Sequence, residues 1–357
     1  MADAAEVSPR LVAYLGVPLR DLRILASGWE TTVFEFSPAR RTPRLPEVAA
    51  GQRLVLRCYE GPRADDKGHR ESRTLAALAA AGYPVPQPYL YEPDPAPLGT
   101  PFLVMERVAG GPLFGTRSFP QAFKTFALGL IGFVRAQTRL HRLRADTPGL
   151  RDFAVACGPA NVPPDASLLE RVLGVIAERI EDGPLPGLRD ALTSLRARAD
   201  RFRDAPAAVV HMDYHPQNVI VRGVRVTGVI DWVSADRGDR HLCVATTAVI
   251  LASSAMDYPR WMRDNAAGNS LRALFTALYI PLYQTLAPMD WERFRYCQAV
   301  AALQRLAMFG IMRARGPAAA GFRPEAIANV TPGVIRLLAR YTARKAGLPV
   351  SIPTGSA

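Results

Sequence analysis

One short segment of the chain holds most of the polar side chains that could do chemistry. It is His211-Met212-Asp213-Tyr214-His215-Pro216-Gln217-Asn218, and Val229-Ile230-Asp231-Trp232 follows a little later. Apolar, β-branched runs on either side predict short strands, which would place the polar residues on a loop at the mouth of a small sheet. On such a loop, the Asp213 carboxylate could accept a hydroxyl proton or orient an attacking oxygen.

A predicted hairpin should bring two oxygen ligands together. Val219 to Val221, then Arg222-Gly223, then Val224 to Ile230 has the pattern of two strands joined by a tight turn. Because a hairpin returns the chain to its starting edge, Asn218 and Asp231 should be neighbours in space. An amide oxygen beside a carboxylate suits Mg²⁺, which takes its remaining oxygens from water and phosphate.

The alternation of His211, Asp213 and His215 leaves a second interpretation open, that of a metal-dependent hydrolase. Alternating residues face one way only in a strand, and Pro216 favours a loop. This interpretation also gives no role to Asn218, to Asp231 or to the N-terminal part of the chain.

The two motifs resemble those of the aminoglycoside phosphotransferase and choline kinase-like family, distant relatives of protein kinases. The family's catalytic loop, His-x-Asp-x-His-Pro-x-Asn, is matched from His211 to Asn218, and its Ile-Asp-Trp metal motif is matched at residues 230–232. The resemblance implies an α+β fold, bilobal and protein kinase-like, that transfers the γ-phosphoryl group of ATP, or of GTP, to a hydroxyl of a small molecule. Asp213 would be the base, Asn218 and Asp231 would hold Mg²⁺, and His211 would brace the loop.

The resemblance also assigns residues in the N-terminal part to the nucleotide. Arg57 stands where the family usually has a phosphate-binding lysine, and Glu71 would be the acid that pairs with it. The segment Ser27 to Val33 is similar to the family's nucleotide loop, and Met105 to Val108 to the hinge that meets adenine. The cofactor-binding positions so implied are Gly28, Val33, Val55, Arg57, Glu71, Glu106 and Val108.

Two departures from the family pattern support a third interpretation. Arg57 replaces the lysine, and Cys243 stands where the family has an aspartate that braces the catalytic loop. Arginine keeps the charge but differs from lysine in reach and geometry. The chain could therefore be a catalytically weak nucleotide-binding regulatory protein of the same fold.

The secondary-structure pattern predicts two lobes, residues 1–107 for nucleotide binding and residues 108–357 for catalysis and substrate binding. The first contains a short helix at 8–17, a hairpin from Leu22 to Phe36, a strand at 53–59, a helix at 69–81 and an apolar strand at 102–105. Ala109-Gly110-Gly111-Pro112 then interrupts the chain. Beyond it, helices are predicted near 119–145, 166–181, 187–203, 242–256, 268–286, 290–314 and 333–346.

Composition excludes several classes of protein. The 357 residues are 49% apolar and carry a net charge of +12, but the arginines are scattered, so neither a disordered chain nor a nucleic-acid partner is expected. The sequence shows neither a secretory signal nor a membrane-spanning run, and its four cysteines lie far apart, so we expect a cytoplasmic protein with no membrane partner. Its pattern does not indicate an oligomeric state.

Two features of the C-terminal third bear on the acceptor. Residues 241–357 contain 13 Arg and Lys against 5 Asp and Glu, which argues against a polycationic acceptor and leaves neutral, zwitterionic and anionic hydroxyl compounds open. Aromatic residues at helical spacing favour the core over a substrate pocket or a cage for a quaternary amine. These residues are Tyr258, Trp261, Tyr279, Tyr283, Trp291, Phe294 and Tyr296.

Overall fold

The N-terminal part of the computed structural model is an antiparallel sheet with a helix on each face. The structure describes residues 3–28, 31–114, 119–146, 150, 162–163, 165–253 and 266–353. Helix α1 (Ala4–Leu15) precedes strands β1 (Leu19–Ser27), β2 (Thr31–Pro38), β3 (Leu54–Tyr59), β4 (Pro88–Glu92) and β5 (Phe102–Glu106), and the order in the sheet is β1-β2-β3-β5-β4. The predicted hairpin and both later strands are confirmed, and α1 begins earlier than predicted because Asp3 caps it.

Strand β3 lies at the centre of the sheet and is buried on both faces. Leu54, Leu56 and Cys58 pack on the α1 side, whereas Val55 and Tyr59 belong to the larger core on the opposite side. The alternation predicted two different faces, and that prediction is confirmed. Arg57 shares the second face and is itself buried, so its charge must find partners inside the protein.

Helix α2 (Ala64–Ala80) packs against that second face. It begins five residues before the predicted start at 69, and Leu75 and Leu78 are buried as its spacing predicts. Glu71 lies on the same buried side and is fully inaccessible to solvent. The sheet ends at Glu106, one residue before the predicted boundary between the lobes, and the boundary itself remains a prediction.

The rest of the chain is mainly helical around two small sheets. Strands β6 (Gly111–Pro112), β8 (Val219–Arg222) and β9 (Arg225–Val229) form one sheet, and β7 (Ala207–Val210) pairs with β10 (Asp236–Asp239). The described helices are α3 (Phe119–His141), α4 (Leu168–Asp182), α5 (Arg189–Arg196), α6 (Arg240–Ser253), α7 (Ala266–Leu286), α8 (Trp291–Arg315) and α9 (Pro332–Ala346). The 187–203 prediction was too long, since 3₁₀ turns at Pro186–Leu188 and Ala199–Phe202 flank a shorter α5.

A segment near the C-terminus connects the two parts of the molecule. It consists of the 3₁₀ turns Pro317–Ala320 and Pro324–Asn329, which follow α8. Lys67 of α2 donates to the Gly321 carbonyl over 3.2 Å, and buried Arg323 donates to the Thr32 hydroxyl of β2 over 3.1 Å. These contacts tie the segment to the N-terminal sheet and helix. None of the described helices combines the length and the apolar character that a bilayer-spanning helix needs.

His141 makes the folded state sensitive to acid. Burial, with the nearby Arg240 and His241 charges, lowers the pKa of His141 to about 3, and its Nδ1 lies 2.6 Å from the Tyr283 hydroxyl. The unfolded chain binds a proton near pH 6.5 and the native state does not, so stability falls as the pH drops from 6.5 towards 3. We expect His141 to lower the free energy of unfolding by roughly 2 kcal/mol between pH 6.5 and 5.

Urea unfolding of His141→Asn at the two pH values measures this contribution. The variant should show a correspondingly weaker pH dependence, because asparagine does not titrate. His69→Gln is the matched control, since His69 is exposed on α2. An unchanged pH dependence in His141→Asn would contradict the assignment.

Candidate active site

A cavity of about 540 Å³ lies between the N-terminal sheet and the helices that follow it. Five of the predicted site residues line it: Gly28, Arg57, Asp213, Asn218 and Asp231. Glu71 lies directly behind Arg57. The described lining does not include the other predicted cofactor-binding residues Val33, Val55, Glu106 and Val108. Trp29 and Glu30 of the predicted nucleotide loop lie outside the described residues.

The loop that carries Asp213 is held from beneath by a buried histidine. The Asp213 backbone N–H donates to His211 Nδ1 over 3.3 Å, which leaves His211 Nε2 to carry the proton and donate to the Ile230 carbonyl at 2.9 Å. Burial lowers the pKa of His211 and keeps it neutral. His211 therefore connects the Asp213 loop to the residue before Asp231, and both of its ring nitrogens are occupied by the backbone.

The backbone is strained next to Asp213 and at Asp231. Met212 has φ +59° and Asp231 has φ +68°, the left-handed region that residues other than glycine seldom adopt. Such conformations cost on the order of 1–3 kcal/mol each and persist only where the surroundings enforce them. Here the surroundings include the His211 bridge, together with the pairing of β8 and β9.

The Asp213 carboxylate is ionised at all ordinary pH values. Burial by itself raises its pKa, but the nearby His215 and Arg305 outweigh burial and bring the pKa of Asp213 to about 2. His215 Nε2 lies 3.5 Å from Asp213 Oδ2. An ionised carboxylate at the cavity surface can accept a hydrogen bond from a hydroxyl and take its proton.

Asn218 is oriented by the same loop. Its Nδ2 donates to the Asp213 carbonyl over 3.0 Å and lies 3.4 Å from Asp213 Oδ2. The amide oxygen is therefore the atom left to face the cavity. The Ile230 backbone N–H donates to the Asn218 carbonyl over 2.9 Å, so the ends of the hairpin meet and Asn218 and Asp231 are neighbours, as the sequence predicted.

Arg57 joins two acids in one buried cluster. Its Nη2 donates to Asp231 Oδ1 over 2.6 Å, and its Nε lies 3.2 Å from Glu71 Oε2. Glu71 also accepts hydrogen bonds from the Tyr59 hydroxyl at 2.6 Å and the Trp232 backbone N–H at 3.0 Å. Burial lowers the pKa of Arg57, but Asp231 and Glu71 more than offset this and raise it. The contact to Asp231 was not predicted, because nothing local links residues 174 positions apart.

A second charged cluster supports the predicted hinge. Arg107 donates from Nε to Glu35 at 2.9 Å and from Nη1 to the Val108 carbonyl at 2.6 Å, and Arg23 donates to the same carboxylate at 3.0 Å. These arginines outweigh burial and lower the pKa of Glu35. Glu35 was not predicted from the sequence, because an acid in an alternating strand is expected to face solvent.

Cys243 lies beneath the loop that carries Asp213, at the position where the family resemblance implies an aspartate. Burial raises the pKa of the Cys243 thiol, and the nearby backbone N–H groups of Met212 and His211 oppose this in part. Gln137 Nε2 lies 3.7 Å from the same sulfur and donates to Thr247 at 3.0 Å, while Tyr279 donates to Gln137 at 2.6 Å. A neutral buried network therefore braces the loop in place of a charged side chain.

We expect Cys243→Val to weaken this brace. Valine has a similar volume but no polar atom, so Gln137 and the backbone N–H groups near the sulfur would lose a polar contact, at a cost of about 1–3 kcal/mol. Displacement of Asp213 should also lower kcat by roughly tenfold. Urea unfolding and steady-state kinetics measure both effects. Cys243→Ser, which retains an acceptor, should lose less on each, and equal losses would argue against the brace.

The hydrolase interpretation finds no support in this geometry. Both ring nitrogens of His211 are engaged by backbone groups, and no cluster of three or more potential metal-binding His, Cys, Asp or Glu residues occurs in the described part of the chain. The described aromatic residues also favour the core interpretation. Tyr279, Tyr283, Phe294 and Tyr296 are buried and Trp291 is exposed, while Tyr258 and Trp261 lie outside the described residues.

Solved structures with the same architecture identify the fold. An aminoglycoside phosphotransferase APH(4)-Ia mutant, in ternary complex with ADP and hygromycin B, aligns with a TM-score of 0.58 at 17% identity, over 93% of this chain and 98% of that one. Macrolide 2′-phosphotransferase MphH from Brachybacterium faecium aligns with a TM-score of 0.53 at 17% identity, over 96% and 98%. The fold is the bilobal α+β, protein kinase-like fold of small-molecule phosphotransferases, and the predicted fold class is confirmed.

The amino-acid sequence identifies the family. The model of the phosphotransferase enzyme family matches residues 21–289, which include every predicted site residue. The chain belongs to this family. Acyl-CoA dehydrogenase family member 11 of Gallus gallus is 28% identical over 212 residues, which are 58% of this chain and 26% of that protein. The chain thus spans about a quarter of the length of this relative.

Proposed function

We propose that the protein transfers the γ-phosphoryl group of ATP to a hydroxyl group of a small molecule, with Asp213 as the base. The observation that carries this proposal is the convergence of Asp213, Asn218, Asp231 and Arg57 on one cavity. The family match and the ADP complex of the APH(4)-Ia mutant support a nucleotide as the donor. The nucleotide is proposed to lie between residues 1–107 and 108–357, with Gly28 and Arg57 near its phosphates.

The residues present fit a magnesium ion. The Asn218 amide oxygen and the Asp231 carboxylate are hard oxygen donors on adjoining ends of one hairpin, which is the donor type that Mg²⁺ prefers. When bound, the ion would neutralise charge on the nucleotide phosphates. Asp231 Oδ1 is held by Arg57 in this structure, so a cation and this arginine would share or exchange that oxygen.

The proposed role of the protein is to align the groups and to accept one proton. The acceptor oxygen forms a bond to the γ-phosphorus as the bond to the β–γ bridging oxygen breaks, and ADP leaves with that electron pair. The hydroxyl proton passes to the Asp213 carboxylate, which is ionised and therefore able to receive it. Little other covalent chemistry is needed, since such transfers depend mainly on positioning and electrostatic stabilisation.

An ADP-release assay of the purified chain over alcohols, sugars, amino alcohols and antibiotics tests the proposal. We expect ATP turnover that requires Mg²⁺ and that a hydroxyl compound stimulates, with formation of a phosphate ester seen by mass spectrometry. Asp231→Asn should abolish the stimulation, whereas Asp200→Asn, an exposed substitution, should not. Nucleotide binding without turnover on any acceptor would instead favour the regulatory interpretation.

A further inference from the structure

The part of the cavity beyond Asp213 is built from one face each of three helices. Helix α4 contributes Leu168, Arg171, Val172, Val175 and Arg179, spaced as residues on one side of a helix. Helix α6 contributes Thr246, Val249 and Ile250, and α8 contributes Ala301, Gln304, Arg305 and Met308, again at helical spacing. We call this region, lined by α4, α6 and α8, the acceptor compartment.

Positive charge exceeds negative charge around the whole cavity. Among the residues that the structure describes, seven Arg and Lys side chains line it against three Asp. In the acceptor compartment, Arg171 is neutralised by Asp236, whose Oδ1 lies 2.6 Å from its Nη2. Arg305 lies near enough to Asp213 to lower the pKa of that carboxylate.

Arg179, unlike Arg171, has no ion-pair partner among the described residues. Its guanidinium makes no hydrogen bond and no ion pair with any residue in the described ranges, and it is half-buried against the cavity. Burial lowers the pKa of Arg179 to about 10, and the neighbouring Glu178 opposes this only in part. A half-buried guanidinium without an ion-pair partner can form a charge-assisted contact with an anionic ligand.

The wall near Arg179 is apolar and extended. Val172 and Val175 of α4, with Val249, Ile250 and Met308, provide only hydrocarbon surface. Arg179 is eight residues beyond Arg171, which places it about 12 Å further along the helix from the Asp236 contact. A ligand that reaches from Asp213 towards Arg179 therefore crosses an apolar surface and ends at a cation.

We propose that the phosphoryl acceptor is an anionic hydroxy compound with an apolar body, whose carboxylate or phosphate binds Arg179. This inference rests on the phosphotransferase function proposed above and specifies its substrate class. The positive lining would repel a polycationic acceptor by the same charges that hold an anion.

A matched series of four compounds tests the charge of the acceptor. 6-Hydroxyhexanoate, 1,6-hexanediol monophosphate, 6-hydroxyhexanamide and 6-amino-1-hexanol share a hydroxyl and a chain and differ at the other end. Binding to Asp213→Asn is measured by calorimetry, and phosphorylation by the natural chain is measured by ADP release. We expect the two anionic compounds to bind at least roughly tenfold more tightly than the amide, and the amine to bind most weakly. The stronger of the two anions identifies the carboxylate or the phosphate as the preferred group.

Substitutions at Arg179 separate this site from the rest of the cavity. Arg179→Gln should raise KM for the anionic compounds by roughly tenfold and leave KM for ATP and for the amide unchanged. Arg179→Lys should recover part of the loss, and Arg196→Gln, at an exposed position of α5, should have no effect.

Equal binding of the amide and the anions, or an anion affinity that Arg179→Gln does not change, overturns the inference while phosphoryl transfer stands. Absence of binding by all four compounds also overturns it, because Arg179 would then offer no anion site. Failure of the phosphotransferase proposal is seen separately, as absence of Mg²⁺-dependent ADP release with any acceptor.

Discussion

Asp213→Asn should lower kcat for acceptor phosphorylation by about 10²–10⁴-fold and leave nucleotide affinity nearly unchanged. The substitution keeps the shape of the side chain but removes the negative charge that can accept a proton. Because the pKa of Asp213 is about 2, wild-type activity should show no acidic limb from this residue at mildly acidic pH. Steady-state ADP release between pH 5 and 8, with calorimetric titration of a non-hydrolysable ATP analogue, measures both expectations.

Loss of the Asp213 charge must be distinguished from loss of structure. Asp190→Asn is the matched control, since Asp190 is exposed on α5 and does not line the cavity. Both variants should keep the circular dichroism spectrum and the nucleotide affinity of the wild type. Comparable turnover by Asp213→Asn and Asp190→Asn would remove Asp213 from the mechanism.

Arg57→Met should destabilise the protein by about 3–5 kcal/mol, because it leaves Glu71 as a buried charge without its cation. Methionine fills much of the same space, so the lost charge dominates the effect. Urea unfolding monitored by tryptophan fluorescence measures the change. The same variant should also weaken nucleotide affinity, since it removes the proposed phosphate-binding cation.

Two further variants test whether charge causes this loss. In Arg57→Met/Glu71→Gln the uncompensated acid is gone, so much of the stability should return while nucleotide affinity stays low. Arg53→Met removes an exposed arginine that precedes β3 and lies 3.7 Å from Glu35, and it should cost about 0–1 kcal/mol. If the double variant is no more stable than Arg57→Met, the buried charge is not the cause.

The Arg57 cluster also explains why the substitution of arginine for lysine is not a simple defect. Arginine presents several donors in a fixed fork, and here Nε faces Glu71 while Nη2 reaches Asp231. A lysine has one nitrogen and could not hold both acids in the same way. Arg57 therefore holds Glu71 and Asp231 together in this structure. The kinetic assays test whether it also supports fast turnover.

Elements that depend on neighbours in the chain could be predicted from the amino-acid sequence alone. Alternation predicted β3 and its two faces, the Arg222-Gly223 turn predicted the β8–β9 hairpin, and that hairpin placed Asn218 beside Asp231. These features are local, because a hydrophobic period or a tight turn involves only residues a few positions apart. The motifs from His211 to Trp232 were therefore sufficient to indicate the family.

Contacts between side chains that are distant in the chain could be read only from the tertiary structure. The contact of Arg57 with Asp231, the support of Val108 by Glu35 through Arg107, and the position of Cys243 beneath His211 all join residues far apart in the chain. Likewise, only the packing of α4, α6 and α8 gathers Arg179 and Arg305 around one cavity. Charge counts along a sequence do not give such positions, since burial and pairing depend on how whole elements pack.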